Sequence, residues 1–191
     1  LAGNSAYYGG GSYGGALNNC VLSGNLATEG GGSRDGTLDN CTLSGNLADY
    51  DGGGAYYGTL NNCILSDNSA YWFGGGAYGS TLSNCALAGN AASRSGGGSY
   101  GGALNNCALS SNRASRGGGL YGGEYYGTFN NCTLAGNSAT ESGGGSYGGT
   151  LNNCFLSGNS AYYGGGSDGG KLNNCTLSGN VAGDHGGGSY G

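Results

Sequence analysis

Positive charge is scarce in this 191-residue chain: four arginines and one lysine stand against ten acidic residues, and charged side chains make up only 8% of the total. The formal net charge is −5. Nucleic-acid binding needs clustered basic residues to neutralise phosphates, so this composition argues against such a partner. No run of 18 apolar residues exists, so no helix here crosses a bilayer. His185 is the only histidine and no Cys-x-x-Cys spacing occurs, which argues against zinc. Proline and methionine are absent altogether, unlike an ordinary globule. Glycine is abundant at 50 residues, but without the Gly-X-Y period of collagen. No signal-peptide pattern is present and the chain begins at Leu1, which suggests a processed product or a window on something longer.

What the chain has is a repeat. One block, from Gly52 to Ala70, reads GGGAYYGTLNNCILSDNSA, and variants of it fill the sequence. The eight cysteines Cys20, Cys41, Cys63, Cys85, Cys107, Cys132, Cys154 and Cys175 mark its phase, with gaps of 21 to 25 residues. A period near 22 means one supersecondary unit stacked on copies of itself. Strictly placed Gly speaks against disorder.

Alignment on Cys produces columns. Three residues before it stands Leu, or Phe129; two after it stands Leu again. Asn19, Asn40, Asn62, Asn84, Asn106, Asn131, Asn153 and Asn174 precede it. Asn25, Asn46, Asn68, Asn90, Asn112, Asn137, Asn159 and Asn180 follow five residues later, and Ala two after that. The apolar segments are too short for helices, and Gly triplets interrupt them. Short alternating runs bounded by Asn and Gly read as strands and turns. A strand ending at the first Leu, a turn at Asn-Asn, a strand carrying Cys and the second Leu inward, a turn at Gly-Asn, a loop through Ala, and a third strand after the Gly triplet are expected. The fold class is thus all-β: a parallel β-solenoid of eight to nine coils in a single domain, 1–191, uncapped at both ends.

In such a stack, coils lie ~4.8 Å apart and identical residues form ladders. Asn tolerates the left-handed conformation at a bend, and its amide can both donate and accept. Both Asn columns are therefore read as structural ladders. Asn40-Cys41-Thr42, Asn131-Cys132-Thr133 and Asn174-Cys175-Thr176 match the N-glycosylation sequon, discounted here because a ladder would bury those amides. One coil buries two Leu, each contributing ~1.5–3 kcal/mol. Ordering its residues costs ~1 kcal/mol or more apiece, so no coil stands alone. The Cys column is expected to be free thiols acting as small apolar groups, because parallel Cβ vectors hold stacked Cβ atoms beyond the disulfide optimum.

After each Gly triplet comes a small residue and then usually Tyr: Tyr13, Tyr56, Tyr78, Tyr100, Tyr121, Tyr147 and Tyr190, with Arg34 and Asp168 in the same outward column. The preceding loop adds Tyr71, Trp72 and Phe73 among others. Three readings fit these aromatics: shielding of a Gly-rich backbone, self-association, or a glycan-binding surface. Loop charges are segregated, with Glu29, Asp49 and Asp51 early and Arg94, Arg113 and Arg116 mid-chain. They form a solvated face or set the stagger between neighbouring solenoids. The acidic group lacks the ligand spacing of calcium loops. A Thr-x-Asn pair of columns (Thr59 with Asn61, Thr128 with Asn130, Thr150 with Asn152) suits an exposed strand and leaves an ice-binding array as a minor alternative.

With these motifs in place, the chain resembles the right-handed parallel β-helix proteins of bacterial surfaces, including polymorphic outer-membrane protein repeats. Gly53-Gly54-Ala55-Tyr56 corresponds to that family's GGA-aliphatic segment, and Leu65-Ser66-Asp67-Asn68 to its Phe-x-x-Asn; Tyr and Leu are departures. The resemblance implies secretion, adhesion or surface structure. The shape is also similar to pectate-lyase-like enzymes, but the clustered carboxylates with a base or metal that their chemistry needs are not found. No catalytic residue, cofactor or metal is assigned. The expected function is a non-enzymatic extracellular structural protein that stacks end to end with itself as a stiff filament, or a segment of a longer fibre. The chain starts and stops in mid-coil, and exposed strand edges favour head-to-tail stacking. The alternative is a monomeric surface adhesin or glycan-binding stalk. The insertion Gly123-Glu124-Tyr125-Tyr126 is expected to bulge from its coil.

Overall fold

A computed structural model describes residues 1–123 and 127–191. Residues 124–126 of the expected bulge lie outside the described residues. About eight coils stack, most passing through the same four short strands; in the Cys132 and Cys154 coils the first two merge into Leu120–Asn130 and Ser146–Asn152. In the Cys63 coil the four are Ala55–Tyr56, Thr59–Asn61, Ile64–Ser66 and Ser69–Ala70. Each pairs in parallel with its counterparts above and below, residue on like residue. Leu60 meets Leu38 and Leu82, Leu65 meets Leu43 and Leu87, and Ala70 meets Ala48 and Ala92. Three sheets result. The first joins the Ala55–Tyr56 and Thr59–Asn61 segments, the second holds Ile64–Ser66, and the third Ser69–Ala70. No helix occurs among the described residues.

Two local expectations are corrected. The Ala column is a fourth strand, not a loop, because Ser69 N–H donates to Asn46 O and Ala91 N–H to Asn68 O, both at 2.9 Å. The strand before Cys runs one residue past its Leu, to Asn61, so the bend rests on Asn62 alone, at φ 53°.

The interior repeats the same contacts coil after coil. Leu60 and Leu65 are fully buried with Cys63 between them, and Phe129 takes the Leu place in its own coil. The residue between Cys and the second Leu points out: Val21, Ile64 and Phe155 are exposed. Each glycine of a triplet has its own reason. Gly52 turns at φ 68°, the left-handed region that costs a side chain dearly. A Cβ on Gly53 would meet the carbonyl of Gly75 at 2.5 Å, and one on Gly54 the carbonyl of Gly76 at 2.5 Å. Coil-to-coil backbone bonds at this corner leave no room for a methyl group.

The inner Asn column is a continuous buried ladder. Asn68 Oδ1 accepts from the backbone N–H and the Nδ2 of Asn46, at 3.0 and 2.9 Å. Its own Nδ2 donates back to Leu43 O at 2.9 Å and onward to Asn90 Oδ1 at 3.0 Å. The buried amide is thereby satisfied, as it must be away from water. The outer column differs. Asn19 through Asn174 all sit at φ between 51° and 54° and are exposed; they bond between coils only in places, as Asn174 Nδ2 does to Asn153 Oδ1 at 2.7 Å. Their amides are therefore not buried, and the ground for discounting Asn40, Asn131 and Asn174 as sequon asparagines does not hold.

All eight cysteines are free thiols. Cys63 Sγ accepts the Cys41 N–H at 3.4 Å and donates to Asn61 O at 3.2 Å, so the sulfur serves the turn as well as filling the core. Bonding to the Cys85 thiol, with burial, pushes the Cys63 pKa up; burial does the same for Cys41.

Candidate interaction surface

Five rings of the tyrosine column form one stack along the first sheet. Tyr56, Tyr78, Tyr100, Tyr121 and Tyr147 follow at centroid spacings of 5.0, 5.1, 4.8 and 5.1 Å, with planes within 8° of parallel. The parallel register sets the spacing, since each ring inherits the separation of its strand from the next. The column is outward-facing but only half exposed, because each ring covers its neighbour. Burial raises Tyr56 to about 12 and moves Tyr78 and Tyr100 upward as well. These three phenols are therefore neutral across the physiological range.

Arg34 takes the Tyr place in the Cys41 coil. Its guanidinium carbon lies 4.0 Å from the Tyr8 ring centre and 4.9 Å from that of Tyr56, and 5.9 Å from Tyr13. It also pairs with Glu29, and with Asp35 at 3.2 Å. Tyr13 is thus separated from the stack by a cation held between aromatic faces. At the opposite end Asp168 takes the place beyond Tyr147.

Tyr71, Trp72 and Phe73 diverge. Phe73 leans against the stack, 4.8 Å from Tyr100 and tilted 36° to it. Trp72 takes Arg94 over its ring at 4.8 Å and the Tyr50 ring at 5.4 Å. Tyr71 points outward beside the third sheet, 65% exposed.

Tyr57 was not singled out by the sequence reading. It sits at φ 50°, where a bulky residue is uncommon. Its ring stands edge-on to Tyr56 and Tyr78, at 88° and 87°, and lies over Gly79. With Tyr78, Tyr100 and Gly101 it borders a shallow apolar recess. The repeat carried the signal: other coils place Gly14, Gly79 or Gly101 at this position.

The carboxylates near the stack are engaged locally. Glu29 and Asp51 occupy neighbouring coils in one column. Glu29 pairs with Arg34, and Asp51 Oδ1 accepts the Phe73 N–H at 3.2 Å. Burial lifts Asp51 to about 6. Among the described residues no group of three or more His, Cys, Asp or Glu could hold a metal ion. No described helix is long and apolar enough to cross a membrane. No protein-family model matches the chain, and no curated protein matches it.

Proposed function

We propose that this protein is a non-enzymatic structural element of the cell exterior, a stiff solenoid that elongates by stacking coil on coil with further copies or within a longer chain. The observation that carries this reading is the equivalence of the coils. Each presents the same parallel edges, the same Asn amide and a Leu-Cys-Leu interior, with Phe129 for the first Leu in one coil, to the coil above and below. A coil from another copy therefore meets the same partners as a coil of the same chain, and such a contact repeats without closing. The resemblance of Gly53–Tyr56 and Leu65–Asn68 to bacterial surface repeats supports the extracellular placement.

The test is negative-stain electron microscopy of the purified native material. Unbranched filaments with an axial repeat near ~40 Å, about eight and a half coils of ~4.8 Å, are expected from end-to-end copies. Filaments without that repeat fit a longer covalent solenoid. Short rods that stay separate on concentration overturn the filament reading.

The aromatic stripe favours a second reading, a surface stalk that binds glycans through the Tyr face. Within the stack, neighbouring rings cover each other's faces. The ring turned across it, Tyr57, is 55% exposed and is the natural platform for a sugar. A glycan array on monomeric protein, with loss of binding in Tyr57→Ala, tests that reading.

A further inference from the structure

The third sheet carries both signs of charge on one face, in coil order. In the Cys41 coil, Leu47–Asp51 exposes Leu47, Asp49 and Tyr50. The Cys63 coil follows with Ser69 and the projecting Tyr71, and the Cys85 coil with Ala91 and Ser93. The Cys107 coil then presents Arg113, Ser115 and Arg116. Small side chains beyond Tyr71 open a trough of about 450 Å³ lined by Ser69, Ala91, Ser93, Arg113, Ser115 and Ser138. Arg113 lines this trough, while Arg94 and Arg116 border an adjoining hollow, where Glu141 lies 3.7 Å from Arg116. The trough's one arginine, Arg113, thus lies two coils from the protruding ring and three coils from Asp49, on a chain whose net charge is −5.

The register gives this face a hidden symmetry. Strands Leu47–Asp51, Ser69–Ala70, Ala91–Ala92 and Arg113–Arg116 follow one another at one coil per step. Consider a two-fold axis along the strands, midway between Ser69–Ala70 and Ala91–Ala92. It sets the Cys63 coil against the Cys85 coil of another copy, and the Cys41 coil against its Cys107 coil, with every residue kept in its own column. Tyr71 then faces Ser93 of the second copy, and Trp72 faces Arg94. Asp49 faces Ser115, and Arg113, which faces Leu47, is its diagonal neighbour. A parallel arrangement would instead set each coil against itself, the Asp49 coil on the Asp49 coil and the Arg113 coil on the Arg113 coil. Like charges opposed in this way disfavour that pairing.

We propose that the third sheet is a self-complementary interface through which two copies of this chain pair side by side, antiparallel, with Tyr71 of each seated in the trough of the other and Asp49 beside its Arg113. Every contact occurs twice, as an isologous interface requires. The ring supplies buried apolar area and the charges fix direction and stagger. The pairing uses no feature of the coil ends and is independent of end-to-end growth.

The experiment is light scattering of the full chain after size exclusion, at low and high salt, for the native protein and for Tyr71→Asp, Asp49→Arg and Arg113→Asp. All three positions are exposed or at the surface, and circular dichroism checks that each variant folds. A dimer that weakens with salt is expected, with each variant weakening it about tenfold or more. The decisive sample is an equimolar mixture of Asp49→Arg and Arg113→Asp. Each is mismatched with itself, yet in the mixed pair both charge contacts are restored, so dimers reappear. If filaments form, the same variants narrow them and leave their length unchanged. Overturning results are a native monomer at all concentrations, dimers indifferent to the variants, or a mixture that stays monomeric. Binding of polygalacturonate by the arginines of a protein that remains monomeric also overturns the proposal.

Discussion

The rings of Tyr78 and Tyr100 lie 5.1 Å apart, centre to centre, with planes 3° from parallel. Each belongs to a two-residue strand, and the bonds between those strands hold the rings face to face. Tyr100 also meets Tyr121 and Phe73. Aromatic pairs contribute ~0.5–1.5 kcal/mol beyond area burial. Tyr100→Ala should therefore destabilise the chain by ~1–3 kcal/mol in urea unfolding. It should also reduce near-ultraviolet circular dichroism by more than the loss of one isolated ring, and an equal change in Tyr13→Ala would contradict a stacked array.

Asn68 joins four groups in the inner ladder, and Ala removes all four at once. The Asn46 N–H and the Leu43 carbonyl are left buried without these partners. A buried unsatisfied group costs ~1–3 kcal/mol. Asn68→Ala should lose ~2–5 kcal/mol. Asn62→Gly, at an exposed left-handed turn, should stay close to native stability. Chemical denaturation of the two variants side by side provides the comparison.

Asp51 titrates near pH 6 because burial disfavours its charge. A folded pKa above the unfolded value of 3.8 means the native state holds the proton more tightly. Its contribution to stability is fully present below pH ~4 and declines as pH rises through ~6. Thermal unfolding of native protein minus Asp51→Asn should show this fall between those values. A flat difference would place the carboxyl in solvent.

Six of the eight thiols, Cys41 through Cys154, are at most 3% exposed. Cys20 and Cys175, in the outermost Cys coils, are partly accessible. A thiol reagent should label at most these two in the native chain and all eight after denaturation. Intact mass before labelling separates free thiols from disulfides.

The Leu-Cys-Leu and inner Asn columns were legible because each position does one job in every coil. Repetition within one chain exposes such positions directly. The Ser69–Ala70 strand was not legible, since two residues cannot show an alternating period and Ala is no strong strand former. The exposure of Asn62 was also hidden: a turn asparagine and a ladder asparagine look the same in a column, and only φ and solvent contact separate them. The outward Tyr column was readable, but not the facing of its rings, which depends on side-chain angles that no spacing encodes. The charge order of the third face could be read, whereas its trough required knowing that Ala91, Ser93 and Arg113 lie together.

Every coil is tied to its neighbours by bonds that run along the axis. Traction applied at the two chain ends therefore loads one coil boundary at a time, like a seam being unstitched. Each released coil of about 22 residues would pay out roughly 70 Å of slack, its extended length less one coil height. A stretched solenoid should lengthen in near-equal steps, with a slightly longer step at the 25-residue interval between Cys107 and Cys132. That odd step would mark, on a force trace, where along the chain the seam has opened.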